Sequence, residues 1–352
     1  MQTKILKNYT SKSFWNNKSV LITGINGFIG GNLAKHLTNL GAYVIGITNN
    51  KIKNKFLEFE NLANLVNISQ INLQNYNSIK NFIQTNKVDM CIHLAAQVDV
   101  NIAKTDPLLT FQSNIAGTFN LLESLRRKNE TKAIIVASSD KAYGSYPLSK
   151  LPYKETYDLR PIYPYDVSKA CSDLIAKSYS DDLFGLPIII TRFANIYGPG
   201  QLNFTALVPD CILALENYRK FIPRGNGTNK RDFLYVEDVC DLYTCLTYNL
   251  YKDKRLSRQI FNAGTTRGYT VDYIIKTLCY LSDRKDLYLD IKQKFKNKNL
   301  TGEIQHQFMN YKKLQRYFGW KPSFKLEDGL KETISWYKKF LKKNSFNKFI
   351  KK

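Results

Sequence analysis

Thr23-Gly24-Ile25-Asn26-Gly27-Phe28-Ile29-Gly30 joins two patterns of different period. Before it runs the short apolar strand Ser19-Val20-Leu21-Ile22-Thr23. After it, Phe28, Ile29, Leu33, Leu37 and Leu40 fall at helical spacing, and Gly41 is placed to end the helix. Glycines between a strand and a helix allow a tight turn and close approach of a ligand. The first helical turn offers unpaired N–H groups to a pyrophosphate. The spacing is G-x-x-G-x-x-G rather than G-x-G-x-x-G, so the surroundings must carry part of the argument for a dinucleotide site.

Those surroundings alternate. Strand patterns cover residues 42–47, 66–71, 88–94, 133–137 and 187–191, and helix patterns cover 28–40, 78–85, 107–127 and 165–184. Strands separated by helices imply a parallel sheet with right-handed crossovers. After about Asn195, loops rich in Gly, Pro and Asn separate helices expected at 207–216, 239–249 and 270–282. The predicted fold is therefore α/β: a doubly wound, Rossmann-type parallel sheet with a smaller mixed C-terminal substrate domain. Its expected parts are an extension (1–17), the dinucleotide-binding domain (18–195), a substrate-binding part (196–338) with some segments returning to the sheet, and a basic tail (339–352).

The chain has 352 residues, 43% hydrophobic and 23% charged, the balance of an ordinary globular protein. No apolar run approaches the roughly 20 residues of a membrane span. The N-terminal residues are polar and Lys-rich, unlike a secretory signal. A cytoplasmic enzyme is expected, with no membrane and no nucleic-acid partner. The net charge of +23 comes from lysines spread along the whole chain, with one real cluster in the tail. Such a field also attracts a phosphorylated substrate. Six scattered cysteines without a C-x-x-C pair, and only three histidines, predict neither a metal site nor a disulfide framework. Cys91, Cys171 and Cys240 are expected as small buried thiols.

Three stretches carry chemistry. After the second strand comes Ile47-Thr48-Asn49-Asn50-Lys51, where a dinucleotide fold often places an acid on the adenosine ribose. No carboxylate is present. Asn49 or Asn50 could bond ribose hydroxyls, and Lys51 or Lys53 could meet a 2′-phosphate, so NAD and NADP both stay open. Tyr165 and Lys169 lie one turn apart on a helix face. An ammonium there favours the phenolate, which predicts a lowered tyrosine pKa and a base for a sugar hydroxyl. The run Ser138-Ser139-Asp140-Lys141 adds an acid and a candidate base beside a serine, and this points to a second reaction such as loss of water.

These motifs, with His93-Leu94-Ala95-Ala96-Gln97, Asn114-x-x-Gly117-Thr118, Arg192 to Gly200, Arg231-Asp232-Phe233 and Gly319-Trp320-Lys321-Pro322, resemble those of extended short-chain dehydrogenases/reductases acting on nucleotide-sugars. The resemblance runs from about residue 18 to 338. It implies that Gly24, Asn26, Gly27, Phe28, Ile29, Gly30, Asn49, Asn72, Leu73, Leu94, Ala95 and Ala96 hold the cofactor, NAD with NADP as the alternative, together with Tyr165 and Lys169. It places Gln97, Asn195, Val208, Arg224 and Arg231 on a nucleotide-diphosphate sugar, Arg231 on the diphosphate. It makes Ser139, Asp140, Lys141, Tyr165 and Lys169 the catalytic set.

Within that family the 4,6-dehydratases keep an Asp after the catalytic Ser/Thr as the acid at O6, followed commonly by Glu as the base at C5. Here Asp140 matches the acid and Lys141 stands in the Glu position, as in CDP-glucose 4,6-dehydratases. The stretch Glu303-Ile304-Gln305-His306-Gln307 resembles theirs as well. The resemblance thus implies C4 oxidation, water loss across C5/C6 and hydride return to C6, with CDP-glucose favoured. The alternatives are a 4-epimerase or a 4-dehydrogenase of the same fold. It further implies a homodimer formed through the helices at 107–127 and 165–184, and a setting in polysaccharide biosynthesis.

Overall fold

The computed structural model describes residues 8–49, 55–295 and 304–343. Its central sheet is built from β1 (Ser19–Thr23), β2 (Tyr43–Thr48), β3 (Asn67–Gln70), β4 (Met90–His93), β5 (Ala133–Ala137), β6 (Ile188–Phe193) and β7 (Ile260–Ala263). The strand order is β7-β6-β5-β4-β1-β2-β3, and every neighbouring pair is parallel. The order reverses between β1 and β4. In an open parallel sheet this is the point where a crevice forms at the carboxyl ends of the strands.

The strands are buried on both faces, so they read as continuous apolar runs. Val20 and Ile22 of β1, Met90 and Ile92 of β4, and Ala133 and Ile135 of β5 point into one core. Leu21, Cys91, Ile134 and Val136, their alternates, point into the other. The first core is covered by α1 (Phe28–Asn39) and by a later helix (Val236–Lys252). The second is covered by Tyr76–Thr85 and by α2 (Gly117–Lys128), with α3 (Pro164–Tyr179) packed against α2. A third core lies under helices Leu207–Leu215, Val271–Leu281 and Leu326–Lys343. It adjoins a small sheet in which Lys230–Arg231 is flanked by Tyr269–Thr270 and His306–Gln307.

The expected strands at 19–23 and 133–137 match β1 and β5 to the residue. Two helices differ from expectation. The helix expected over 107–127 is continuous, but Gln112–Ala116 widens into a π-turn. The backbone oxygen of Asn114 there accepts bonds from the hydroxyls of Thr118, 2.6 Å, and Ser172, 2.8 Å. The helix expected over 165–184 ends at Tyr179. The Ser180 carbonyl accepts a bond from Arg258 Nε at 2.8 Å, so a distant side chain satisfies a helix end that would otherwise be orphaned.

Of the three cysteines expected to be buried, Cys91 and Cys240 are, whereas Cys171 is half-buried because its helix face turns partly to solvent. Among the described residues no helix is long and apolar enough to cross a membrane. Nor do three or more His, Cys, Asp or Glu side chains gather closely enough to hold a metal ion.

Candidate functional site

The turn after β1 is shaped by contacts that only glycine allows. Gly24 adopts φ +72°, and a Cβ on it would lie 2.8 Å from Ala95 Cα. A Cβ on Gly30 would lie 2.3 Å from the Gly24 carbonyl oxygen, which locks α1 against the turn. Gly27 is the N-cap of α1, and no side chain caps that end. The first-turn amides therefore face the crevice with the charge preference of a helix N-terminus. Ala95 is held by its N–H bond to Thr23 Oγ1, 3.2 Å, and Thr23 in turn bonds His93 Nδ1 at 2.7 Å. Thr118 of α2 bonds the other ring nitrogen at 3.0 Å. Burial, with Lys169 as a second cause, pushes His93 down to about 3, so its ring is a neutral strut between β1, β4 and α2.

At the end of β5 the chain enters a tight turn, Asp140–Tyr143, with Ser139 as its N-cap. Ser139 Oγ accepts from the Lys141 amide at 3.2 Å and donates to Asp140 Oδ1 at 3.0 Å. Lys141 Nζ donates to the same Asp140 oxygen and to Asn195 Oδ1, both at 3.3 Å. Asp140 is 1% exposed. Its other oxygen, Oδ2, is buried with no hydrogen-bond partner among the described residues.

Tyr165 and Lys169 sit on the first turns of α3, both buried. The helix is bolted in place from two sides. Asn114 in the π-turn donates to Ser168 Oγ at 2.8 Å and brackets the Gln97 backbone with bonds of 2.7 and 3.0 Å. Asp173 makes a two-pronged pair with Arg192 of β6, at 2.7 and 3.0 Å. Both side chains of that pair are buried, where removing one partner is costly.

The expected lowering of the Tyr165 pKa is corrected by the structure. Burial raises it above 10.0, the carboxylates of Asp140 and Asp166 add to the rise, and only a hydrogen bond with Ser139 opposes it. Lys169 spends its proton elsewhere, donating to the Ala137 carbonyl at 2.5 Å. Burial pulls Lys169 down from 10.5 to about 8, partly offset by Asp173. Between pH 8 and 10.5 the native protein therefore binds fewer protons than the unfolded chain, and stability rises with pH across that window. Below pH 8 the buried cation is a net cost. Lys169→Met is expected to raise stability there by about 1–3 kcal/mol, with the gain shrinking toward pH 10.5, while activity falls. Thermal melts across pH check this. A variant less stable than wild type below pH 8 contradicts it.

One cleft of about 1070 Å³ gathers these elements. The predicted cofactor, substrate and catalytic residues line it: Gly24, Asn26 to Gly30, Asn49, Asn72, Leu73, Leu94 to Gln97, Ser139 to Lys141, Tyr165, Lys169, Asn195, Val208, Arg224 and Arg231. Asn50, Lys51, Lys53 and Glu303 fall outside the described residues. Arg231 Nη1 donates to the Lys230 and Gln305 carbonyls at 3.0 and 2.8 Å, which fixes the guanidinium at the cleft wall. Arg224 donates to the Thr205 carbonyl at 2.7 Å.

A family model described as GDP-mannose 4,6 dehydratase matches residues 21–333. The chain belongs to this family. It is similar to a UDP-glucuronate 4-epimerase of Thermodesulfobacterium geofontis, with 28% identity over 90% of this chain and 95% of that one. It is similar to a CDP-glucose 4,6-dehydratase of Salmonella typhimurium, with 26% identity over 94% and 93%. Among solved structures it resembles a dTDP-glucose 4,6-dehydratase from Bacillus anthracis in complex with NAD. That match has a TM-score of 0.78 and 25% identity over 92% of this chain and 97% of that one.

Other polar residues of this GDP-mannose 4,6 dehydratase family member line the cleft with no role assigned from sequence, among them Asp166 and Gln307. Asp166, beside Tyr165, is 4% exposed and faces the same cleft. Gln307 lies on the short strand beside Arg231. For Asp166 a signal existed, since a carboxylate directly after a tyrosine read as a base raises that tyrosine's pKa. For Gln307 none existed, because a two-residue strand has no readable period.

Proposed function

We propose that the chain is a nucleotide-sugar 4,6-dehydratase that converts an NDP-hexose, CDP-glucose foremost, to its 4-keto-6-deoxy product. The observation that carries this reading is Asp140, a buried carboxyl with one unpartnered oxygen, adjoining Ser139 in a site that already holds Tyr165. Oxidation and re-reduction at C4 require one base. An acid in addition suits the departure of a hydroxyl from C6.

The glycine cradle and the uncapped α1 fit the pyrophosphate of NAD, since a side chain at Gly24 or Gly30 would fill the space taken by the turn itself. Bound there, NAD supplies the acceptor and later the donor of one hydride. The chain's own residues handle protons. Tyr165, with Ser139 close enough to lower its pKa, takes the O4 proton. Asp140 protonates the leaving O6. Lys141 takes the C5 proton in its amine form, which arises when its ammonium passes a proton to Asp140 across the 3.3 Å contact. Proton uptake by Lys141 and release by Asp140 then restore the ion pair, so the pair resets in each cycle. As C6 is reduced, C5 takes up a solvent-derived proton and Tyr165 releases the O4 proton to solvent, so one water leaves with no net redox change.

Asp140 and Asp166 both face the cleft. Two carboxylates disfavour a sugar that carries its own carboxylate at C6, which argues against a uronate substrate. Arg231 and Arg224 supply cationic forks for the diphosphate. Exposed Leu108, Phe119 and Leu174 share the helices expected to pair two subunits, and they support a homodimer. Incubating holoenzyme with CDP-, UDP- and dTDP-glucose and following the alkali-labile keto-sugar chromophore tests the substrate. The CDP sugar should give the highest kcat/KM. Turnover of UDP-glucuronate in preference to all three contradicts the reading.

A further inference from the structure

Asp140 Oδ2, an acceptor, and Gln307 Nε2, a donor, are buried atoms of cleft-lining residues with no hydrogen-bond partner among the described residues. The first is accounted for by the reaction. The second is not. Gln307 is 1% exposed, and a buried donor left unpaired is destabilising. Its backbone is fully engaged in structure. The Gln307 carbonyl accepts from the Asp232 amide at 2.9 Å, and the residue is in register with Arg231 in a parallel pair. Asp232 is itself fixed by Thr265 and by the Met309 amide. The strand therefore places the buried Gln307 side chain beside Arg231.

Position narrows the ligand. Directly paired residues in a sheet put their side chains on the same face, so Gln307 stands next to the guanidinium read as the diphosphate anchor. Past Gln307, the Phe308 carbonyl accepts from the Tyr153 amide at 2.9 Å, and the Tyr153 hydroxyl donates to the Gly144 carbonyl at 2.6 Å, at the end of the turn that bears Asp140. Gln307 is thus tied on one side to the anchor and on the other to the turn of the acid, in the one cleft that a hexose attached to a diphosphate must enter if C6 is to reach Asp140. We propose that Gln307 is a specificity-determining residue whose amide donates a hydrogen bond to a hydroxyl on the C2–C3 edge of the hexose. This rests on the nucleotide-sugar reading above. The substrate then satisfies the donor that the free enzyme leaves bare, and an analogue lacking that hydroxyl leaves it bare still.

The test is calorimetric binding of CDP-glucose and of CDP to NAD-loaded enzyme, wild type and Gln307→Leu, with 2-deoxy and 3-deoxy CDP-glucose as further probes. Leucine removes an unpaired donor at little change in volume, so the free variant should melt at or above the wild-type temperature. CDP-glucose affinity should fall about tenfold, the worth of one good hydrogen bond, with CDP affinity unchanged. One deoxy analogue should bind wild type and variant equally. Equal losses for CDP and CDP-glucose would make Gln307 a phosphate contact and overturn the proposal. Unchanged CDP-glucose affinity, or a wild type that binds CDP-glucose no better than CDP, overturns it too. Binding that depends on Gln307 without any turnover would instead sink the dehydratase reading and leave this one standing.

Discussion

Tyr165→Phe lowers kcat by about 100- to 10,000-fold, the range expected for loss of a positioned proton acceptor. The ring is buried and lines the cleft, so the substitution keeps the packing and removes one oxygen. The oxygen matters because its environment works against it. Burial, Asp140 and Asp166 all raise its pKa, and Ser139 alone opposes them. The ligand-free tyrosine is therefore a phenol, and on the dehydratase reading its proton loss is coupled to substrate binding. Rates should rise with pH in the wild type, and the residual rate of the Phe variant should show no such limb. Steady-state kinetics across pH, with a melting curve to confirm the fold, check this. A variant within tenfold of wild type removes Tyr165 from the role of base.

Asp140→Asn should separate the two halves of the reaction. The amide keeps the shape and can still accept from Ser139 and Lys141, but it has no proton to give to O6. Elimination should slow by about 100-fold or more. Oxidation at C4 should persist, so single-turnover absorbance should show reduced cofactor accumulating where the wild type shows none at steady state. The variant also removes the proton partner of Lys141, so exchange of the C5 proton with solvent should fall along with elimination. If C4 oxidation and elimination fall by the same factor, Asp140 serves the first step or the fold rather than the departure of water.

Much of the framework was legible in the sequence because it rests on period and on glycine. β1 and β5 are short apolar runs with clear ends, and the Gly24–Gly30 turn has a steric requirement that no other residue meets. The Tyr165/Lys169 spacing is one helical turn, which any helix enforces. The parts that were not legible depend on tertiary contacts. The π-turn at Gln112–Ala116 has no period of its own, and its freed backbone oxygen is satisfied by Ser172 of α3, 58 residues away. β7 is four residues long, and its place at the sheet edge is fixed by pairing with β6 rather than by its pattern. The Tyr165 shift was misread because sequence spacing shows which groups share a face but not how deeply they are buried or which carboxylates converge.

Lys141 illustrates the boundary between the two. Sequence put an ammonium where a carboxylate base is common. The structure adds that it touches Asp140 and Asn195 at once, so it has both a proton partner and a neutral acceptor to hold it. That arrangement puts the two partners of the proposed acid–base exchange in direct contact at 3.3 Å.

The most direct measurement follows one hydrogen. CDP-glucose carrying deuterium at C4 is turned over by NAD-loaded enzyme, and the product is analysed by NMR. Dehydration through Tyr165 and the Asp140–Lys141 pair predicts a 4-keto-6-deoxy sugar with the deuterium moved to C6 and a solvent hydrogen at C5. Deuterium retained at C4 of an intact hexose, with inverted configuration there, would contradict it and make the chain an epimerase.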